Sequence, residues 1–506
     1  MTTSRRPDPV RDLDWDPARA RALGDAAVEL WEEFLRRLPD LPVDRGFKAS
    51  ELSEEVALDI PADGMSDDEL VDYLRRVVFD FSMYTGHPAF LAYISGAGTV
   101  PGAVADLLAA AINQNVGGWR LGPGATEIEL HLVRFFAEQF GLPEGSGGLL
   151  VSGGSIANFV GLKVARDAKA GLGVRKTGVA LAPPLVAYTS SEVHFATTRA
   201  ADMIGIGTDA VRMIEVDGHY RMDVAALERR IKEDLEQGLR PFAVIASLGT
   251  VGTGAIDPLP RIADLCDEHD LWLHVDGAYG GPIVLSEDLR HLATGVERAH
   301  SIAFDPHKWL YTPHSGGCVL VRDVGCLFDS FSAHATYTYE DKELTGRGID
   351  LGWLGPQLSR SFWALKVWIS LLAHGTDAYS KRIAHDVALT RYLADRVREH
   401  AAFELSAPVE LSICCFRYVP LDLGHGEGRE SYLNLLNERI MAAVQLDGRV
   451  YYSNAILGGR FVLRTCIVNF RTEAEHLDDV LAVTDEVGRK LDAELRPGSL
   501  GGSHED

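Results

Sequence analysis

Between Leu271 and Leu310, two short apolar runs each end on a chemically demanding group. LWLHVD delivers Asp276 and is followed by Gly277, Ala278, Gly280 and Gly281; Ile302 to Phe304 then leads into Asp305-Pro306-His307-Lys308. Short apolar runs bounded by glycine predict buried strands of a parallel sheet. In open α/β sheets, ligand-handling groups gather at the carboxyl ends of such strands. Taken singly, an Asp after a strand is a turn or cap residue and a Lys is a solvated charge. Together, with glycines between them, they confine the chain to an α/β fold with a site along one sheet edge.

Pyridoxal 5′-phosphate (PLP) chemistry uses both groups. A lysine amine forms a Schiff base with the cofactor aldehyde, and a carboxylate keeps the pyridine nitrogen protonated so that the ring draws electrons from the substrate. HVDGAYGG and DPHKWL at this spacing resemble the group II PLP-dependent amino acid decarboxylases, a family acting on aromatic amino acids, glutamate, diaminobutyrate and cysteine sulfinate. The resemblance spans about residues 50 to 490. It implies a fold-type I (aspartate aminotransferase-like) α/β architecture, with a mostly parallel central sheet and a smaller C-terminal α+β domain. It also implies a homodimer whose active sites are shared between subunits.

By the same resemblance, Lys308 holds PLP, Asp276 pairs with the pyridine nitrogen, and His194 stacks on the ring opposite Ala278. Gly154 and Ser155 meet the phosphate, with Thr250 and His307 nearby. A lid tyrosine (Tyr337 by alignment, with Tyr339 the alternative because TYTY permits a two-residue slip) or His307 protonates the substrate carbon after CO₂ leaves. Tyr93 is expected in the substrate pocket, and the 112–129 stretch, with Asn115 and Trp119, is expected to reach a partner's site. Ser95, Asn115 and Gly117 stand where aromatic decarboxylases carry bulkier groups, which suggests a larger or more polar substrate.

The residues support parts of this independently. GGLLVSGGSIANF reads as strand, glycine turn and helix, placing Gly153, Gly154 and Ser155 where free N–H groups and the helix dipole attract a phosphate. The turn matches neither GxGxxG nor a P-loop, which disfavours a nicotinamide dehydrogenase. Residues 17–38 and the segment from Ser66 predict helices, with Pro17 and a Ser66/Glu69 capping box at their starts. Another helix is expected from near Leu358 to Gly375.

Domain boundaries follow: an N-terminal helical arm over 1–86 that packs on a dimer partner, a PLP-binding domain over 87–394, a small domain over 395–495 and a disordered tail over 496–506. The net charge of −24 argues against nucleic acid or anionic membrane as partner. No apolar run approaches the ~20 residues of a membrane helix, and the start has no apolar leader segment. The six cysteines form no CxxC pair, which predicts reduced thiols, no metal site and a cytoplasmic enzyme. Cys414 and Cys415 should point to opposite faces of one strand. The small-molecule substrate is an L-amino acid. Oxidative deamination, β-elimination or transamination would use the same residues, and a non-catalytic scaffold is the reading outside enzymology.

Overall fold

The computed structural model describes residues 13–332 and 348–500. Tyr337 and Tyr339 lie outside the described residues. Eleven strands are present among them: β1 (Gly147–Val151), β2 (Leu185–Ser190), β3 (Val211–Ile214), β4 (Arg240–Ser247), β5 (Trp272–Asp276), β6 (Ser301–Phe304), β7 (Gly317–Val321), β8 (Phe403–Leu405), β9 (Ile413–Tyr418), β10 (Ser453–Leu457) and β11 (Arg460–Cys466). The first seven form one sheet in the order β1-β7-β6-β5-β4-β2-β3. β3, β2, β4, β5 and β6 run parallel, and β7 is antiparallel to both of its neighbours. The mostly parallel sheet expected from the sequence is therefore present. β1, β2, β5, β6 and β7 are buried at every position, which is why they read as unbroken apolar runs rather than alternating ones.

The other four strands make an antiparallel sheet, β10-β11-β9-β8. One of its faces joins the core of the large sheet and the other builds a separate core with the helices Arg429–Asp447 and Ala474–Leu495. Cys414 and Cys415 take opposite sides: the first lies in the separate core and the second in the shared one. All six cysteines are free. No helix among the described residues is long and apolar enough to cross a membrane.

The helix Pro17–Arg37 starts as its sequence predicts, with the Asp16 side chain accepting from the N–H groups of Ala18 and Arg19. Asp67–Leu74 begins with the Ser66/Glu69 capping box. Three expectations need correcting. The helix ending at Gly375 begins at Trp363, not near Leu358, because the Arg360 N–H is committed to the Asn115 side chain (2.9 Å). Residues 89–92 pack in the separate core of the small sheet, with the Leu91 N–H donating to the Tyr451 carbonyl at 2.7 Å. The stretch from Arg496 to Leu500 is ordered: Arg496 pairs with Asp422 and Asp492, and Leu500 is buried in the small-sheet core.

Candidate active site

β5 and β6 lie side by side, with Asp276 registered on Ala303, so the carboxyl ends of both strands open on the same edge. Asp276 is the last residue of β5, and the turn after β6 carries His307 and Lys308. That turn is locked from below. The Trp309 ring stacks on Tyr279 (5.1 Å, 13°) and its Nε1 donates to Asp386 at 2.9 Å; the Tyr311 hydroxyl donates to the same carboxylate. Gly96 is required against it, since a Cβ there would come within 2.5 Å of the Lys308 carbonyl oxygen.

These groups line a cavity of about 810 Å³, together with Tyr93, His194, Ala278 and Thr250. Ser152 to Ile156 form another wall. The helix Gly154–Ala170 starts there with Gly153 as its cap, so the N–H groups of Gly154 and Ser155 have no partner within the helix. Gly154 has no room for a side chain: a Cβ would lie 2.6 Å from Asp305 Oδ2 and 3.2 Å from the Ala278 Cβ. The small sheet closes the cavity with Ser453–Leu457 and Arg464. Arg464 donates to the carbonyls of Gly252 and Tyr93, both at 3.2 Å. Tyr93 is held in a left-handed conformation, φ +55°, which costs a non-glycine residue about 1–3 kcal/mol.

Asp276 sits at the end of a one-way chain of hydrogen bonds. The Trp272 indole N–H donates to Ser301 Oγ (2.8 Å), Ser301 bonds His274 Nδ1 (2.7 Å), His274 Nε2 bonds Asn158 Oδ1 (2.8 Å), and the Asn158 amide donates to Asp276 Oδ2 (3.3 Å). Each direction follows from the last. Asn158 Oδ1 can only accept, so Nε2 carries the hydrogen; in the neutral ring Nδ1 is then the acceptor, and Ser301 gives it its hydroxyl hydrogen while accepting from the indole. That neutral tautomer agrees with His274 being pushed down to about 3 by burial. The Ala278 N–H donates to the other Asp276 oxygen at 3.0 Å. Burial pushes the Asp276 carboxyl up, against the pull of the Ala278 N–H, Lys308 and His194. Removing the Asn158 amide with Asn158→Ala is expected to weaken cofactor binding about tenfold, the value of a hydrogen bond to a charged group, measured by equilibrium titration of the apoprotein.

Lys308 meets a different carboxylate. Its Nζ is 2.9 Å from Asp305 Oδ2. Burial lowers the lysine's pKa, but Asp305, with help from Asp276, outweighs this and holds it above the ordinary value. The lowering expected of a cofactor-bonded lysine is not present in the free chain, because the amine is held as one half of an ion pair. His194 and His307 are both pushed down by burial. His307 Nδ1 is paired with the Gly316 backbone, leaving Nε2 as the ring's free nitrogen.

Asn115 and Trp119 do not line this cavity. Asn115 Oδ1 accepts from the Gly117 and Arg360 N–H groups, and Trp119 Nε1 donates to Glu127 at 2.8 Å. Gly117 is small for a reason unrelated to substrate: a Cβ would collide with the Leu358 carbonyl oxygen at 1.9 Å. Asp305, Asn158, His274, Ser301 and Arg464 were missed by sequence reasoning. Asp305, His274 and Asn158 stand inside the DPHKWL, HVDGAYGG and GGLLVSGGSIANF runs, but nothing local marked them as part of the site.

The profile of the pyridoxal-dependent decarboxylase conserved domain matches residues 50–419. The chain belongs to the pyridoxal-dependent decarboxylase family. Among its relatives, the aromatic-L-amino-acid decarboxylase of Bacillus atrophaeus is 35% identical over 94% of this chain and 98% of its own length. The cysteine sulfinic acid decarboxylase of Rattus norvegicus is 32% identical, covering 85% of this chain and 87% of the relative. The Oryza sativa TDC structure with PLP and tryptamine superposes with a TM-score of 0.87 at 27% identity, covering 94% and 99% of the two chains. The fold is thus fold-type I, and the family is PLP-dependent. The donor set suits the cofactor: a buried carboxylate for the ring nitrogen, an amine for the aldehyde, and unpaired N–H groups at a glycine turn for the phosphate.

Proposed function

We propose that this decarboxylase releases CO₂ from an L-amino acid to give the amine, with PLP bonded to Lys308. The observation that carries this reading is the convergence of Asp276, His194, Lys308 and the Gly154–Ser155 helix start on one cavity. When bound, PLP supplies an electron-withdrawing ring that stabilises the charge left on the α-carbon. Asp276, oriented by Asn158 and Ala278, would hold the proton of the ring nitrogen. His194 and Ala278 would hold the ring between them. The Gly154 and Ser155 N–H groups would bind the phosphate, with Thr250 on the same cavity wall. Tyr93, on the cavity wall, contacts substrate.

We also propose a cytoplasmic homodimer with shared sites, onto which the N-terminal arm packs. The helix Val100–Ile112 presents Val100, Val104, Leu107, Leu108 and Ile112 to solvent, an apolar stripe of the kind that marks an interface. Asn115 and Trp119 follow it directly and would enter the partner's cavity. Light scattering tests the mass, and CO₂ release across a panel of L-amino acids tests the reaction.

Three groups could return the proton to the substrate carbon: His307 within the described site, and Tyr337 or its alternative Tyr339 from the sequence. Tyr337→Phe is expected to keep CO₂ release while part of the product becomes aldehyde, with ammonia and peroxide, in the presence of oxygen. Tyr339→Phe should still make only amine. Amine formation at the original rate in Tyr337→Phe would pass the role to Tyr339 or His307.

A further inference from the structure

The carboxylate in contact with Lys308 also backs onto the glycine turn. Asp305 Oδ2 is 2.9 Å from Lys308 Nζ, while Oδ1 is buried without a hydrogen-bond partner. A Cβ on Gly154 would lie 2.6 Å from Oδ2, and one on Gly317 would lie 2.9 Å from Oδ1 and 2.6 Å from the Gly153 Cα. Asp305 therefore faces the amine on one side and the proposed phosphate turn on the other. Two anions this close in a buried site do not both keep their charge, and one of them takes up a proton.

We propose that Asp305 is a latch on Lys308 that phosphate opens. In the empty protein it holds the lysine as an ammonium; an anion arriving at Gly153–Ser155 drives the lysine's proton onto Asp305 and frees the amine. This rests on the PLP-binding reading above. The step balances: ammonium and carboxylate become neutral amine and carboxylic acid. The amine nitrogen then bonds the aldehyde carbon, and the aldehyde oxygen leaves as water with the two amine hydrogens, with no oxidation or reduction.

The surrounding groups leave this pair to decide the outcome. His307 Nε2 is 3.9 Å from Asp305 Oδ2, and burial pushes His194 and His307 down and His314 to about 4. The neighbouring thiols are pushed up by burial, Cys318 well above its ordinary value and Cys466 to about 11. The carboxylates that act on Lys308 are Asp305, in contact with it, and Asp276.

The test uses full-length apoprotein and pyridoxal, which has the aldehyde but no phosphate, with imine formation followed by absorbance across pH. Wild type should react slowly at neutral pH and faster as pH rises, and inorganic phosphate should accelerate the neutral reaction about tenfold or more, one pKa unit of freed amine. Asp305→Asn keeps the shape and removes the charge. Its rate should rise at lower pH, exceed wild type about tenfold at neutrality, and ignore phosphate. An unchanged pH profile in Asp305→Asn overturns the latch, as does a wild-type rate indifferent to phosphate, an arm that decides even if the variant does not fold. Borohydride trapping separates the two claims. An adduct on Lys308 with phosphate-independent kinetics removes the latch alone; an adduct on another lysine removes both the latch and the proposed cofactor site.

Discussion

Lys308→Ala is expected to abolish the borohydride-trappable cofactor adduct and to reduce CO₂ release to background. The amine is the only group at that turn able to bond an aldehyde: its neighbours are a carboxylate, an imidazole already paired with the Gly316 backbone, and an indole buried against Tyr279 and Asp386. The phosphate turn and Asp276 remain, so the variant should still bind PLP noncovalently. Mass spectrometry of the reduced, digested protein reads the result. A modified peptide elsewhere in Lys308→Ala would show that the strand-end assignment is wrong.

Arg360→Ala is expected to be the most destabilising single change outside the active site. The Arg360 and Glu129 side chains pair with no solvent exposure on either. Arg360 also donates to the Leu150 carbonyl at 3.0 Å, and Glu129 accepts from the Leu150 N–H at 2.9 Å. The pair thus holds the N–H and the carbonyl of Leu150 along the edge of β1 that does not pair with β7, just before the Ser152–Gly154 turn. Burial pushes the Glu129 carboxyl up while Arg360 pulls it down. Without the guanidinium, that carboxylate is left buried and uncompensated, at a cost of about 3–5 kcal/mol, against about 5–15 kcal/mol for a whole domain. The double variant Arg360→Met with Glu129→Met should recover most of the loss, because two apolar side chains remove both desolvated charges. Denaturant midpoints for the two variants decide the matter.

The chemistry was legible where it is local. HVDGAYGG and DPHKWL each place a functional group at a strand end within a few residues, and the structure brings both to one cavity. The same holds for the helix caps at Asp16 and Ser66, which depend only on neighbours. What escaped is long-range. Asn158, His274 and Ser301 look like isolated polar residues in apolar runs, and only the sheet register brings them together behind Asp276. Glu129 and Arg360 look like ordinary surface charges until folding buries both. Gly117 misled in the other direction, since its small size answers to the backbone at Leu358. Asp305 was in plain view, but its effect on Lys308 depends on a turn that folds the two side chains together.

The cavity is closed by Ser453–Leu457 and Arg464, which belong to the small sheet, while Lys308, Asp276 and the glycine turn belong to the large one. The outer face of that small sheet has a core of its own. Loosening this core would withdraw one wall of the cavity while leaving the lysine, its carboxylates and the phosphate turn in place. Water would then reach the reacting carbon, and the Arg464 clamp on Tyr93 would be gone. Such a molecule would still be yellow. Colour in an ageing preparation would report bound cofactor, not a working enzyme.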